Sequence, residues 1–422
     1  MIKAYKFKLK PSTDQLLELQ EIAGATRWVY NYLLGLNHEK YEYTNQFAFY
    51  HEMSLKLPKL KQEHIFLKQA PSQSLQQAAK RLDLAIRAVW EQGNGFPKFR
   101  SRKDPIQSFS IPQTNNHIKQ NKKEVIIPKI GAIKWKRHRN ISGVIKNLII
   151  KQEQDKWYAI LVCKMQDTTP ILDVNPDNSI GLDLGLIDFA VLSDEQVIPT
   201  KKFYRLKLNQ LKSKQRKLSH RRNKGVKGSR RYSVLKKRVA RLHTKVKNQR
   251  MDFLHQVSAA IAKLYLFVGV EDLNIKGMIK NQKLSKSISD QGWGMFLSFL
   301  AYKCQERGGQ MIKIDRWSPS TKQCSCCGKK QNITLDERTY RCANCGLEMD
   351  RDLNAAFNIL TMALAVLDRC GTHRITGFVP ENAQGDGSIG EVGRNTETRY
   401  PSTNCEKRLG LAEEATTLKG SV

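Results

Sequence analysis

Along the first ten residues apolar and basic positions alternate, with Tyr5, Phe7 and Leu9 on one side and Lys6, Lys8 and Lys10 on the other. That period of two predicts a half-buried strand with a basic outer face. After Pro11, Ser12 and Gln15 stand three apart as a capping box, and Leu16, Leu19, Ile22, Ala23, Val29 and Leu33 recur behind it at helical spacing. A second box, Ser74 to Gln77, predicts a helix through Leu75, Ala78, Ala79, Leu82, Ile86 and Val89 that ends at Gly93 and Gly95. From 106 to 165 the pattern changes to short apolar runs separated by turns. Val144/Lys146/Leu148 and Tyr158/Ile160/Val162 alternate there, which predicts an antiparallel sheet or small barrel.

TTPILDVNPDNS (168–179) is a turn-rich boundary. Beyond it, strand-like runs at 180–184, 189–193, 265–270 and 311–317 alternate with helical patterns at 252–264 and 292–309. Such alternation suits a mixed α/β sheet with helices on both faces. Gly181 and Gly185 in GLDLG are positions where the backbone can pass close to a metal or phosphate. After about 366 no period persists, acids and basics nearly balance, and a disordered tail is expected over 366–422.

Charge narrows the function classes. The 422 residues hold 72 Lys+Arg against 39 Asp+Glu, a formal +33, which points to a polyanionic partner. Residues 201–251 contribute twenty-one Lys or Arg and no acid, with Leu206, Leu211, Leu218, Leu235, Val239 and Leu242 spaced among them. Two long basic helices in an antiparallel pair are expected, broken at KGVKGS (224–229). Candidate nucleic-acid contacts there are Arg216, Lys217, Arg221, Arg222, Arg230, Arg231, Lys236, Lys237 and Arg238. GFPKFRSRK (95–103) interleaves Phe96 and Phe99 with Lys98, Arg100, Arg102 and Lys103. Its aromatics either stack bases or pack inward, and the pattern does not choose. No apolar run approaches the ~20 residues of a membrane span, and MIKAYKFKLK lacks the apolar core of a signal peptide. With no export signal and nine cysteines, a reducing cytoplasm is expected.

The chemistry is concentrated between 320 and 359. Cys324/Cys327 and Cys342/Cys345 form two Cys-x-x-Cys pairs with fourteen residues between them, a spacing that closes a structural four-thiolate zinc site. Five residues after Cys345 comes DRDLNAA, an acidic turn opening an alanine-bearing helix. Asp352 there is either an N-terminal capping carboxylate or a functional one. Upstream, GLDLG (181–185) and VGVEDLN (268–274) each place an acid, Asp183 and Glu271, at the end of an apolar run. Three carboxylates brought together would be hard oxygen donors suited to two Mg²⁺ or Mn²⁺ ions and to phosphodiester cleavage.

These three segments, in this order, resemble the RuvC-type nuclease core of the TnpB family, transposon-encoded relatives of type V CRISPR effectors. The resemblance spans roughly residues 1–365. It implies a multidomain α/β fold: an RNase H-like (RuvC) core with an inserted four-Cys zinc ribbon, and an N-terminal wedge β-barrel with an inserted helical recognition domain. The implied boundaries are 1–10 for the first barrel strand, 11–103 for the recognition domain and 104–170 for the wedge. The nuclease core would be split in two, its longer segment covering 171–319 with the basic insert at 201–251. The zinc ribbon would follow at 320–349, and the shorter nuclease segment at 350–365. By the match to the family pattern, Asp183, Glu271 and Asp352 fall on its catalytic triad, and Asp350 and Asp272 look like neighbours.

The activity implied is that of an RNA-guided DNA endonuclease of an insertion sequence. Its guide RNA would come from the transposon end and its double-stranded target would be read by base pairing beside a short flanking motif. A separate transposase would perform strand transfer, and the protein would work in a prokaryotic cytoplasm, on the nucleoid when bound to DNA. Two other readings stay open from the residues alone: a nuclease-inactive RNA-guided regulator, and a guide-independent DNA-binding transposase accessory protein.

Overall fold

The computed structural model describes residues 2–102, 104, 106–112, 118–165, 173–223, 229–334 and 336–370. Lys103, the KGVKG stretch and the tail expected to be disordered lie outside the described residues. The chain divides into two compact units, 1–168 and 169–422. Among the described residues no helix is long and apolar enough to cross a membrane.

The first unit begins with β1 (Ile2–Lys10) and the 32-residue α1 (Thr13–Thr44). The Ser12–Gln15 box forms in both directions: Gln15 N–H donates to Ser12 Oγ at 3.2 Å, and Ser12 N–H to Gln15 Oε1 at 3.1 Å. Two short helices, α2 (Tyr50–Leu55) and α3 (Leu57–Glu63), precede α4 (Ser72–Gln92). The second capping box does not form. The α4 helix starts two residues earlier, behind Pro71, which leaves Ser74 buried inside the first turn with no partner for its hydroxyl among the described residues. Pro71 pre-sets the backbone for helix entry and overrides the Ser-x-x-Gln signal.

Five further strands follow: β2 (Ile106–Pro112), β3 (Glu124–Ile127), β4 (Gly131–Lys136), β5 (Val144–Glu153) and β6 (Lys156–Lys164). With β1 they make one antiparallel sheet in the order β2-β5-β6-β1-β4-β3. Tyr5, Phe7 and Leu9 are buried, as their alternation requires. In β6 the buried face is Trp157, Ala159, Leu161 and Cys163, opposite to the alternating set Tyr158/Ile160/Val162. Both faces of that strand are apolar, so periodicity alone does not select one.

The second unit is built on five strands: β7 (Ser179–Asp183), β8 (Asp188–Leu192), β9 (Val197–Pro199), β10 (Phe267–Glu271) and β11 (Gln310–Ile314). Their order is β11-β10-β7-β8-β9, with β10 parallel to β7 and β11 and the β7-β8-β9 meander antiparallel. Two basic helices, α5 (Phe203–Asn223) and α6 (Arg230–Leu264), leave the sheet after β9. They lie antiparallel. Tyr204 N–H and Arg250 both reach Asp290, Gln215 meets His243 at 3.4 Å, and Arg221 and Arg230 border one cleft. The α6 helix runs unbroken into 252–264, so the segment expected as a separate helix is the last third of one 35-residue helix. No residue between Arg250 and Asp252 stops the turn, and Leu254 and Ile261 continue its buried face.

Beyond β10 come α7 (Ile275–Met278), α8 (Ser285–Gln291) and α9 (Trp293–Gln305), then a two-stranded hairpin of β12 (Thr339–Arg341) and β13 (Glu348–Asp350), and finally α10 (Arg351–Cys370). One face of the sheet packs on α6 and α9 through Leu254, Ile261, Trp293, Phe296 and Leu300. The other packs on α10 through Ile359, Ala363, Leu364 and Leu367. Covered on both sides, β7 and β10 are near-continuous apolar runs.

Gly181 does not open the backbone to a ligand. A Cβ there would stand 2.1 Å from the Ala356 carbonyl oxygen and 2.7 Å from the Leu360 nitrogen of α10. Gly269 on β10 would meet Ala363 Cβ at 2.8 Å. Both glycines admit the helix against the sheet. Gly185 serves the β7–β8 turn, where a Cβ would lie 2.9 Å from the Asp188 carbonyl oxygen. Gly181→Ala is therefore expected to cost about 3 kcal/mol by overpacking. Gly35→Ala, in open space on α1, should be neutral or stabilising by up to ~1 kcal/mol. Calorimetric unfolding of the full chain reads both.

Candidate active site and metal centre

Asp183 ends the central strand β7, and Glu271 ends its parallel neighbour β10, one residue past the Leu182–Val270 pair. The two carboxylates thus leave the carboxyl ends of adjacent parallel strands, the usual place for a ligand in an open α/β sheet. Asp352 lies in the first turn of α10, which the glycines bring down onto the same strands. Burial first, then the negative charges of Glu271 and Asp352, push the Asp183 carboxyl from 3.8 up to about 8. Arg351 and the Leu184 N–H oppose that shift without cancelling it.

Asp352 is not the helix cap. Asp350 takes that role, its Oδ1 accepting from Asp352 N–H at 2.8 Å and Leu353 N–H at 3.1 Å. Asp352 is left to Arg351, whose Nε and Nη2 stand 3.1 and 3.0 Å from Oδ1, and to Arg338 at 3.4 Å from Oδ2. Glu271 Oε1 accepts a hydrogen bond from the Ser320 hydroxyl. Asp272, next in sequence, is engaged elsewhere with Lys313 and Arg316 at 2.9 and 2.8 Å. A cleft of about 440 Å³ opens at the site, lined by Asp183 and Asp352 together with Lys322, Arg338 and Arg351. These three cations escaped the sequence reading. Lys322 and Arg338 stand singly in the ribbon and Arg351 at the start of α10, and only folding aims them at one place.

The four cysteines come together. Their Sγ atoms all lie within 4.8 Å of one another, with Cys324–Cys345 at 3.6 Å and Cys327–Cys342 at 3.5 Å. A tetrahedral zinc with ~2.3 Å bonds sets sulfurs ~3.8 Å apart, so the donor set fits. Each pair sits on the same knuckle. Gly328 N–H donates to Cys324 O and Gly346 N–H to Cys342 O, both at 3.0 Å, and both glycines have φ of 74°. Among the described residues this is the one cluster of three or more His, Cys, Asp or Glu donors packed so tightly. The three carboxylates are not packed so tightly: Glu271 is engaged by Ser320, and Asp352 by Arg351 and Arg338. Their donor chemistry fits a hard divalent cation: three acids, two of which, Asp183 and Asp352, line one cleft.

The basic residues divide. Lys217, Arg221, Arg230, Arg231 and Arg238 line one cleft of about 770 Å³ between α5 and α6, joined by His220. Arg216, Arg222, Lys236 and Lys237 are exposed on the same helices outside its lining. In the 95–102 segment the two aromatics part ways. Phe96 packs against the core, while Phe99 is 60% exposed and stacks on His38. Lys98 and Arg102 are exposed. Arg100 is held by the protein itself, its guanidinium 3.6 Å from the centre of the Tyr30 ring and its N–H on Asn31 Oδ1 at 2.8 Å.

The folded chain keeps the Asp183 proton up to about pH 8, whereas an unfolded chain releases it near ~4. Without added divalent cation, stability therefore falls as pH rises through that window. Asp183→Asn is expected to raise the melting temperature by roughly 5 °C at pH 8 and by almost nothing at pH 4. Mn²⁺ should raise it for the native chain and not for the variant. Thermal unfolding across pH, with and without Mn²⁺, checks the sign.

Comparison with known proteins matches three regions of the chain. Residues 161–282 match the OrfB_IS605 family described as "Probable transposase", residues 1–46 its "Helix-turn-helix domain", and residues 293–359 the "Cas12f1-like, TNB domain". A candidate RNA-guided DNA endonuclease of Escherichia coli (strain K12), InsQ, is 33% identical over 390 residues, covering 88% of this chain and 94% of its own. One from Streptomyces pristinaespiralis is 30% identical over 377 residues, 87% of this chain and 91% of its own. The CRISPR-associated endodeoxyribonuclease Cas12f1 of Sulfoacidibacillus thermotolerans is 26% identical over 275 residues, 61% of this chain and 64% of its own. Matched nearly end to end at that identity, the chain belongs to the TnpB (OrfB of IS605) family of transposon-encoded proteins.

Proposed function

We propose that this protein is an RNA-guided DNA endonuclease of an insertion sequence, hydrolysing phosphodiesters at Asp183, Glu271 and Asp352. One observation carries the reading. Three carboxylates leave two parallel strand ends and a helix start, and burial together with the charges of Glu271 and Asp352 raises Asp183 to about 8. A charge arrangement that unfavourable in the bare protein is what a divalent cation relieves. The names of the Escherichia coli and Streptomyces relatives support the guided activity.

In this reading Asp183, Glu271 and Asp352 hold Mg²⁺ or Mn²⁺, and the four cysteines hold one zinc. The bound divalent ions supply an activated water and neutralise charge at the leaving 3′ oxygen. Asp183, on the central strand, fixes the reaction centre against the rigid sheet. Arg351 and Arg338 pair with Asp352 and line the same cleft, where their charge suits a phosphate. The basic helices and the 95–103 segment hold guide RNA and target DNA along their backbones. The guide derives from the transposon end, a short duplex motif beside the target is read by the protein, and a separate transposase performs strand transfer.

Protein co-expressed with the element's flanking DNA tests this. The native complex with Mg²⁺ should cut a plasmid carrying the matched target beside a randomised flank, dependent on the co-purified RNA. Asp183→Ala should lose at least about 10³-fold in rate while retaining the RNA. A complex that keeps its RNA and never cuts would sink the nuclease reading. Affinity for DNA should fall linearly in log–log form with salt, and Arg230→Ala with Arg231→Ala should flatten that slope.

A further inference from the structure

Between the carboxylates and the zinc ribbon lies a set of polar side chains that neither site uses directly. Two asparagines of α10, Asn354 and Asn358, are 0% and 4% exposed. Four residues apart, they share one helix face. Asn358 Nδ2 donates to the carbonyls of Ser320 at 2.7 Å and Gln323 at 2.6 Å. Asn354 Nδ2 donates to Gln323 O at 2.8 Å, and its Oδ1 accepts from Ser325 N–H at 2.9 Å. The segment 320–325 is thus bolted to the helix that carries Asp352, with the zinc donor Cys324 inside it. At its start Ser320, 2% exposed, donates its hydroxyl proton to Glu271 Oε1.

Buried asparagines that satisfy a crossing backbone would ordinarily need no function beyond packing. This set differs in where it ends. Its last hydrogen bond falls on an oxygen of a carboxylate in the candidate site, and its other end is fixed by the metal knuckle. A hydroxyl that can donate only once selects one Glu271 oxygen and leaves the other for a cation.

We propose that Ser320 is a positioning residue for Glu271, held in place by Asn358 and Asn354, and that the zinc ribbon thereby presets the divalent-cation site. The proposal rests on the reading that Asp183, Glu271 and Asp352 bind that cation. Outer-shell donors of this kind orient ligands, and their removal typically weakens metal binding 10–100-fold.

The test is Mn²⁺ titration of the full chain with its RNA, read by the electron paramagnetic resonance of free Mn²⁺, alongside cleavage against Mn²⁺ concentration. Ser320→Ala is expected to bind Mn²⁺ about tenfold more weakly, with cleavage largely restored at saturating Mn²⁺ and zinc content unchanged. Ser320→Thr, which keeps the hydroxyl, should bind as the native chain does, and Ser325→Ala, on the ribbon but off the carboxylates, should be silent. Native Mn²⁺ affinity in Ser320→Ala would overturn the proposal. So would a Ser320→Thr variant as weak as Ser320→Ala, since packing would then account for the loss. Asp183→Asn separates the two levels. If it too binds Mn²⁺ like the native chain, the carboxylate reading itself fails. If it loses Mn²⁺ while Ser320→Ala does not, only the role of Ser320 fails.

Discussion

The contact on which this site depends is the approach of α10 to the sheet at Gly181 and Gly269. At 2.1 Å, the gap between a would-be Cβ at 181 and the Ala356 carbonyl leaves no room for any side chain. Backbone therefore lies almost on backbone, with Ala356 and Ala363 as the small residues on the helix side. The consequence is positional. An α-helix rises 1.5 Å per residue, so pinning Ala356 over Gly181 places Asp352, one turn earlier, at the height of the β7 carboxyl end. Asp183 follows Gly181 by two residues on that strand. Packing and chemistry are set by the same two glycines.

That approach has an electrostatic cost. Desolvation first, and then the charges of Glu271 and Asp352, make the Asp183 carboxyl hold its proton to about 8. The fold meets the cost locally with Arg351, Arg338 and the Ser320 hydroxyl, each drawing one acid aside. Of the three, only Arg338, its side chain 49% exposed, is the kind of solvent-facing partner that contributes little.

Much of this was legible in the residues because the signals were local. Two Cys-x-x-Cys pairs each followed by a glycine read directly as knuckles, and acids at the ends of the apolar runs 179–183 and 267–271 could be placed on strand ends without a structure. What was not legible was competition between neighbours. The acidic turn offered Asp352 as the capping carboxylate, with Asp350 read only as its neighbour. Only the β12–β13 hairpin, which delivers Asp350 to the N-cap position, decides between them. Ser74 lost to Pro71 in the same way. Gly181 was read toward a ligand when its neighbour is a helix some 170 residues away in the chain, a partner no local pattern reveals. Lys322, Arg338 and Arg351 carry no spacing signal at all.

The basic helices obey a related logic of unequal neutralisation. Their 201–251 segment has no acid of its own, so any compensation must come from outside it. At the base it does. Asp290, 8% exposed, receives Tyr204 N–H from α5 at 3.0 Å and the Arg250 guanidinium of α6 at 2.6 Å. A buried pair of that kind is costly to break on one side only, so the two helices are locked together where they meet the sheet. Towards the other end Lys217, Arg221, Arg230, Arg231 and Arg238 surround a cleft with no acidic residue in its lining. Like charges so close repel, and with no protein carboxylate among them the remaining neutralisation falls to an external polyanion. One end of the hairpin is thus anchored by an internal acid, and the other presents cations that no acid in the cleft's lining offsets.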